Sequence, residues 1–126
     1  MKHIIQTAHA PAPIGPYSQA VQVGSLLYVS GQVGINPETG EVVTGGVAAE
    51  ARQVMRNIAA ILTAADASFE QVVKTTIFLR NMEDFGAVNE VYGTYFTGTF
   101  PARETVAVAG LPKNVMVEIS VTAWMG

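Results

Sequence analysis

Two charged residues in the last quarter of the chain, Arg103 and Glu118, have types and settings that could do chemistry. Glu118 stands in a run whose odd positions, Val115, Val117, Ile119, Val121 and Ala123, are apolar, while Met116, Ser120, Thr122 and Trp124 share its own side. Alternation at period two makes this run a strand with one buried face. The carboxylate then lies on the other face, where a poor strand former needs something to favour it. A solvated face or an ion pair with a neighbouring strand would do so, and so would a working site. Arg103 follows Pro101 and shares alternation parity with Thr105, Ala107 and Ala109. It reads either as a surface arginine, with Glu118 an available partner, or as a two-pronged clamp for a carboxylate, which a planar guanidinium grips better than an ammonium does.

The remaining candidates depend on the elements that carry them. Asn89 lies inside the apolar stripe of a helix expected over 85–96, formed by Phe85, Val88, Tyr92, Tyr95 and Phe96, with Asp84 as a candidate N-cap. At 100° per residue it is about 40° from Phe85. The amide is either satisfied at a helix–sheet boundary or turned toward a ligand. Residues 17–23 and 26–32 read as a hairpin around Gly24-Ser25, a two-residue loop with glycine first, as a type II′ turn requires. If Val23 pairs with Leu26, then Gln19 faces Ser30 and Tyr17 faces Gln32, which puts Tyr17 and Ser30 on one face. His3 and His9 have no partner at ligand spacing, so no metal site is expected. Neither a nucleophile elbow, a phosphate-binding glycine loop nor a dinucleotide fingerprint occurs.

Pro11, Pro13, Gly15 and Pro16 keep the segment before the hairpin extended, since proline lacks an amide donor and biases its predecessor away from the helical region. Apolar residues at 47, 51, 54, 55, 58, 61, 62 and 65 form a helical stripe over 47–65, with Glu50, Arg52, Gln53 and Arg56 elsewhere on the wheel. The β-branched alternation of 72–80 predicts a strand, as do 105–109 and 115–124, with room for another short one at 2–6. The expected fold is an α+β sandwich, a sheet of about six strands with two helices packed on one face. Phe78, Met116 and Trp124 remain on the uncovered face, so self-association through that face is expected.

Composition bounds the function further. At 126 residues, with seven Lys plus Arg against ten Asp plus Glu, a net charge of -3 and 49% hydrophobic residues, the chain reads as one domain over 1–126 with its own core. The absence of cysteine removes thiol nucleophiles and Cys-based metal sites, and makes the cytoplasm the expected compartment. Acidic balance without a Lys/Arg cluster argues against a nucleic-acid partner. The apolar runs fall far short of the roughly 20 residues that span a bilayer, so no membrane partner is expected.

Ordered segments carry the reading to a family. Ala8-His9-Ala10-Pro11, residues 14–20 (Ile-Gly-Pro-Tyr-Ser-Gln-Ala), Val29-Ser30-Gly31-Gln32, Val73-Lys74-Thr75-Thr76, Met82-Glu83-Asp84-Phe85, residues 88–92 (Val-Asn-Glu-Val-Tyr), Phe100-Pro101-Ala102-Arg103 and Leu111-Pro112-Lys113 resemble the reactive-intermediate deaminase (Rid, or YjgF) family over nearly the whole chain, near its imine-deaminase branch. The resemblance implies a chorismate-mutase-like fold, a homotrimer with clefts between subunits, and cofactor-independent hydrolysis of 2-aminoacrylate or 2-aminocrotonate, through their imines, to 2-oxo acids and ammonia. It carries the carboxylate clamp to Arg103 and water activation or leaving-group protonation to Glu118. Tyr17, Ser30, Gly31 and Asn89 become cleft-lining and orienting residues, with backbone contacts at Thr105, and in the trimer Arg103 and Glu118 are expected from one chain and Tyr17 from the next. Three positions depart from the branch: Thr105 stands where cysteine is common, Glu104 where a small residue is common, and Gly110 where many relatives have arginine. The resemblance leaves two further readings, a non-catalytic sensor of 2-oxo or amino acids using the same cleft and a nucleic-acid-acting protein. The first would need the clamp but not Glu118, and the second is at odds with the charge balance.

Overall fold

In the computed structural model, which describes residues 1–126, the alternating and helical patterns become six strands and two helices. In chain order these are β1 (Lys2–Ile5), β2 (Ala20–Val23), β3 (Leu26–Gln32), α1 (Val47–Ala64), β4 (Val72–Leu79), α2 (Phe85–Gly93), β5 (Ala102–Ala107) and β6 (Val117–Trp124). The strands form one mixed sheet in the order β1-β2-β3-β6-β4-β5, antiparallel throughout except for the parallel pair β4 and β5. Val54, Ile58 and Ile61 of α1 and Val88 and Tyr92 of α2 join a single core with Leu27, Ile77, Leu79 and Ile119 of the sheet, so both helices cover one face. Each such aliphatic side chain contributes about 1.5–3 kcal/mol by leaving water. On the other face Tyr28 and Trp124 remain about half exposed.

The hairpin register holds, with Val23 opposite Leu26, and Gly24 supplies the positive φ of 58° that the first loop position demands. Strand β2, however, begins at Ala20 rather than at residue 17. Gln19 turns inward instead, its Nε2 donating to the carbonyls of Thr7, Ala10 and Pro11 while its Oε1 accepts from the Thr7 amide. These bonds tie the proline-rich segment down as irregular structure and satisfy backbone groups that no strand could pair. Tyr17 therefore does not face Gln32 across a ladder. Past Val29 the pairing of β3 with β6 also shifts, because two residues of β3, Ser30 and Gly31, stand against the single Ser120 between Val29↔Val121 and Gln32↔Ile119. This β-bulge turns Gln32 into the core.

Strand β5 starts three residues earlier than expected. Its parallel pairing with β4 begins directly after Pro101, which has no amide to donate, and continues through Ala107. Helix α2 ends at Gly93, where the Thr94 hydroxyl donates to the Val91 carbonyl, rather than continuing to residue 96. Asp84 occupies its N-cap position but makes no side-chain capping bond.

Candidate active site

Glu118 pairs with Phe78 across β4 and β6, and both lie on the face opposite the helices. The bulge brings Gly31 beneath its carboxylate. A Cβ built on Gly31 would stand 2.8 Å from Glu118 Cδ and closer still to Oε2, so only glycine lets the carboxylate lie there. Burial holds the Glu118 carboxyl above its ordinary pKa, and no cation of the chain sits within ion-pair distance to offset this. Of the alternatives for Glu118, a solvated face, a cross-strand ion pair or a working site, the ion pair is not formed within the chain.

Around this carboxylate lies a cavity of about 370 Å³ whose lining includes Ile14, Tyr17, Ser30, Gly31, Val33 and Glu118. Tyr17 reaches it from the turn closed by its own amide to the Gly15 carbonyl, and its hydroxyl accepts from the Ile14 amide at 3.4 Å. The Ser30 hydroxyl donates to the Ser18 carbonyl at 2.6 Å, which leaves its lone pairs free to accept from a ligand or a water. Apolar walls around a few convergent polar groups are what a small amphipathic ligand requires.

Arg103 and Asn89 are elsewhere. Arg103 pairs with Thr75, a buried core position, and so points to the helix side of the sheet. There its Nη1 donates to Asn89 Oδ1 at 2.7 Å, and its guanidinium carbon lies 5.5 Å from the Phe85 ring centre and 5.3 Å from that of Tyr92. Residues 85, 89 and 92 form one stripe of α2, so a single helix face both stacks and hydrogen-bonds the cation. Tyr92 is held in turn by donating to Thr75 Oγ1 at 3.0 Å. Burial pushes its phenol pKa up, with the Thr75 bond and the Arg103 charge acting the other way. Arg103 and Asn89 line a second cavity of about 350 Å³ together with Tyr92, Phe100 and Pro101.

The seven candidates therefore divide into Tyr17, Ser30, Gly31 and Glu118 around one cavity and Arg103 and Asn89 at another, with Thr105 lining neither. Thr105 lies on the Arg103 side of β5, and its buried hydroxyl has no hydrogen-bond partner. An Arg103–Glu118 pair within one chain is excluded by the register: the two residues sit on opposite faces, two strand spacings or roughly 10 Å apart across the sheet. Glu104 projects away from Arg103, as alternation requires, and pairs with Lys74 in the open. Sequence reasoning did not single out Phe85 and Tyr92 as partners of Arg103, although their shared stripe with Asn89 was the available signal.

The sequence model of a family described as Endoribonuclease L-PSP matches residues 7–125. A mouse protein named 2-iminobutanoate/2-iminopropanoate deaminase is 52% identical over 126 residues, covering all of this chain and 93% of its own. The human protein of the same name is 49% identical, covering all of this chain and 92% of its own. Among solved structures, the yjgF gene product of E. coli superposes with a TM-score of 0.94 at 46% identity, covering 98% of this chain and 99% of its own. E. coli TdcF with bound serine also superposes at 0.94, with 41% identity and the same coverage.

Proposed function

The chain belongs to the endoribonuclease L-PSP family, the YjgF/Rid group, and from that membership we propose that it is a 2-iminobutanoate/2-iminopropanoate deaminase acting on the imines of 2-aminocrotonate and 2-aminoacrylate. The observation that carries this reading is the Glu118 carboxylate, half-buried over Gly31 without a counter-ion and with a raised pKa. Such a group accepts a proton from water more readily than an ordinary carboxylate and returns it at neutral pH.

Hydrolysis adds the elements of water to the imine carbon. Glu118 takes one proton of the water as the oxygen–carbon bond forms and passes it to the nitrogen, giving a carbinolamine. It then takes the hydroxyl proton and returns a proton to the nitrogen as the carbon–nitrogen bond breaks, so that ammonia and a 2-oxo acid leave and the carboxylate is ionised again. The substrate carboxylate is gripped by the Arg103 fork, preset by Asn89, Phe85 and Tyr92. Tyr17 and Ser30 orient the ligand, with Thr105 contributing backbone contacts, and the apolar walls suit a short aliphatic side chain. No cofactor takes part.

A ligand touching both Arg103 and Glu118 has to bridge two copies of the chain, because one copy presents them on opposite faces. The reading therefore includes a cytoplasmic homotrimer, with Arg103 and Asn89 from one subunit and Tyr17, Ser30, Gly31 and Glu118 from its neighbour. This revises the expectation that Arg103 and Glu118 come from one chain and Tyr17 from the next, since Tyr17 lines the same cavity as Glu118 and Arg103 lies on the other face. The half-exposed Tyr28 and Trp124 on the open sheet face supply apolar surface for such packing.

Generating 2-aminoacrylate in situ with a pyridoxal-phosphate dehydratase and trapping the imine with semicarbazide tests the proposal. The protein should suppress the semicarbazone and speed 2-oxo acid formation, and an unchanged semicarbazone yield would refute it. The second reading, a binding protein for amino or 2-oxo acids, draws on the serine-bound TdcF relative. It predicts ligand binding with no effect on trapping.

A further inference from the structure

Helix α1 buries three polar side chains on the stripe 50, 53 and 57, where a helix packed on a sheet needs only apolar ones. Glu50, Gln53 and Asn57 are 6%, 8% and 1% exposed. The Asn57 Nδ2 donates to the Val33 carbonyl at 3.1 Å and to the Ile35 carbonyl at 3.0 Å, and its Oδ1 accepts from Gln53 Nε2 at 2.9 Å. Glu50 Oε1 accepts from the Met116 amide at 2.9 Å. Gly34 sits so close to α1 that a Cβ added to it would be 3.0 Å from Glu50 Cα.

Apart from the Gln53–Asn57 bond, which braces the stripe itself, these bonds leave the helix for two irregular segments. One is the stretch after Gly31, whose Val33 and Ile35 line the Glu118 cavity; the other runs from Pro112, also a lining residue, to Met116, two residues before Glu118. The second segment is strained as well, since Lys113 and Asn114 both hold a φ of 55° without being glycine. Arg80 Nη1 also donates to the Asn114 carbonyl. An amide that donates twice and accepts once has no spare orientation, so Asn57 fixes the Val33–Ile35 backbone rather than merely filling space.

We propose that Glu50, Gln53 and Asn57 are positioning residues for the reaction, a polar stripe through which α1 sets the spacing between the Gly31–Ile35 wall and the Glu118 carboxylate. This rests on the deaminase reading for its activity readout. The residues touch no substrate; they act by holding two loops that would otherwise move independently of the sheet.

Glu50→Ala and Asn57→Asp remove the bond to Met116 and the two donations to Val33 and Ile35, while Glu50→Gln keeps an acceptor oxygen at the same reach. In wild-type background, Glu50→Ala and Asn57→Asp should lower kcat/KM for 2-aminoacrylate about 10-fold to 10²-fold. The loss should fall in kcat with KM held, because the Arg103 clamp lies on the other face of the sheet. Glu50→Gln should stay close to wild type. Hydrogen exchange should quicken in peptides covering 33–36 and 111–117 but not in those covering residues 20–29 of the β2–β3 hairpin. Folded Glu50→Ala protein with wild-type kcat, or Glu50→Gln losing as much as Glu50→Ala, would overturn the proposal. Where Asn57→Asp does not fold, the Glu50 pair decides. Wild-type protein without imine turnover would sink the deaminase reading alone; the exchange comparison then decides this one, and an even or absent change along the chain would overturn it.

Discussion

The carboxylate of Glu118 packs directly on Gly31, at a bulge where β3 supplies two residues against one of β6. Backbone conformation does not demand glycine at this position, whereas the space taken by the carboxylate does. Gly31→Ala should therefore leave the fold intact by circular dichroism and push Glu118 out of its place. Turnover should drop on the order of 10²-fold, the scale expected for displacing a reacting group by about an ångström. Steady-state kinetics on in-situ 2-aminoacrylate would show it, and unchanged kcat would mean that the carboxylate has no fixed working position.

The raised pKa of Glu118 has a sign that stability measurements can read. Its folded value lies above the reference 4.5, so the native chain holds this proton more tightly than the unfolded chain. Stability is then lost as pH rises from about 4.5 through the folded value, and the penalty is constant above it. Glu118→Gln removes the ionisation. The variant should be more stable than wild type in urea at about pH 7.5, with the difference closing at about pH 4. Its turnover should fall about 10²-fold to 10⁴-fold. For wild type, kcat/KM should decline as pH drops through the raised value, with the acidic limb above 4.5.

What the sequence made legible follows from how local each signal is. Strict alternation in β6 placed Glu118 on the uncovered face, and helical spacing placed Asn89 beside Phe85, because both depend only on residues a few positions away. The bulge at Ser30–Gly31 and the parallel pairing of β5 were not legible, since each is decided by how distant strands meet. The inward turn of Gln19 escaped for the same reason: its partners, Thr7, Ala10 and Pro11, are irregular backbone that carries no periodic signal. Glu50 and Gln53 stand off the apolar stripe of α1 by sequence, and their burial comes with the segments at Gly34 and Met116 that pack on the helix. The division of the site between two faces was hidden until β5 was paired, because Arg103 and Glu118 each obey alternation in a separate strand.

The setting of Arg103 separates two kinds of contribution. Phe85→Leu keeps an apolar contact but removes the ring face, and an exposed cation–π contact is worth about 0.5–1 kcal/mol. KM should rise roughly 2-fold to 5-fold with kcat little changed. Tyr92→Phe keeps the ring and leaves Thr75 Oγ1 buried without its donor, so it should cost about 1–3 kcal/mol of stability with a smaller effect on KM. Equal KM effects from the two variants would remove the stacking argument.

Opposite-face placement opens the proposed cleft between subunits to a mixing experiment. Arg103→Ala and Glu118→Gln chains, each inactive alone, are unfolded together and refolded at equal concentration. If every cleft of a three-fold ring takes Arg103 from one subunit and Glu118 from the next, a cleft is whole when the first chain carries the Glu118 change and the second the Arg103 change. Random assembly makes about one-quarter of all clefts whole, so activity should return to roughly 25% of wild type. If one chain supplied both residues to a cleft, no cleft of any hybrid would hold an intact pair. Hybrids that form, as shown by mass spectrometry of differently tagged chains, and yet stay inactive would refute the division of the site between neighbours.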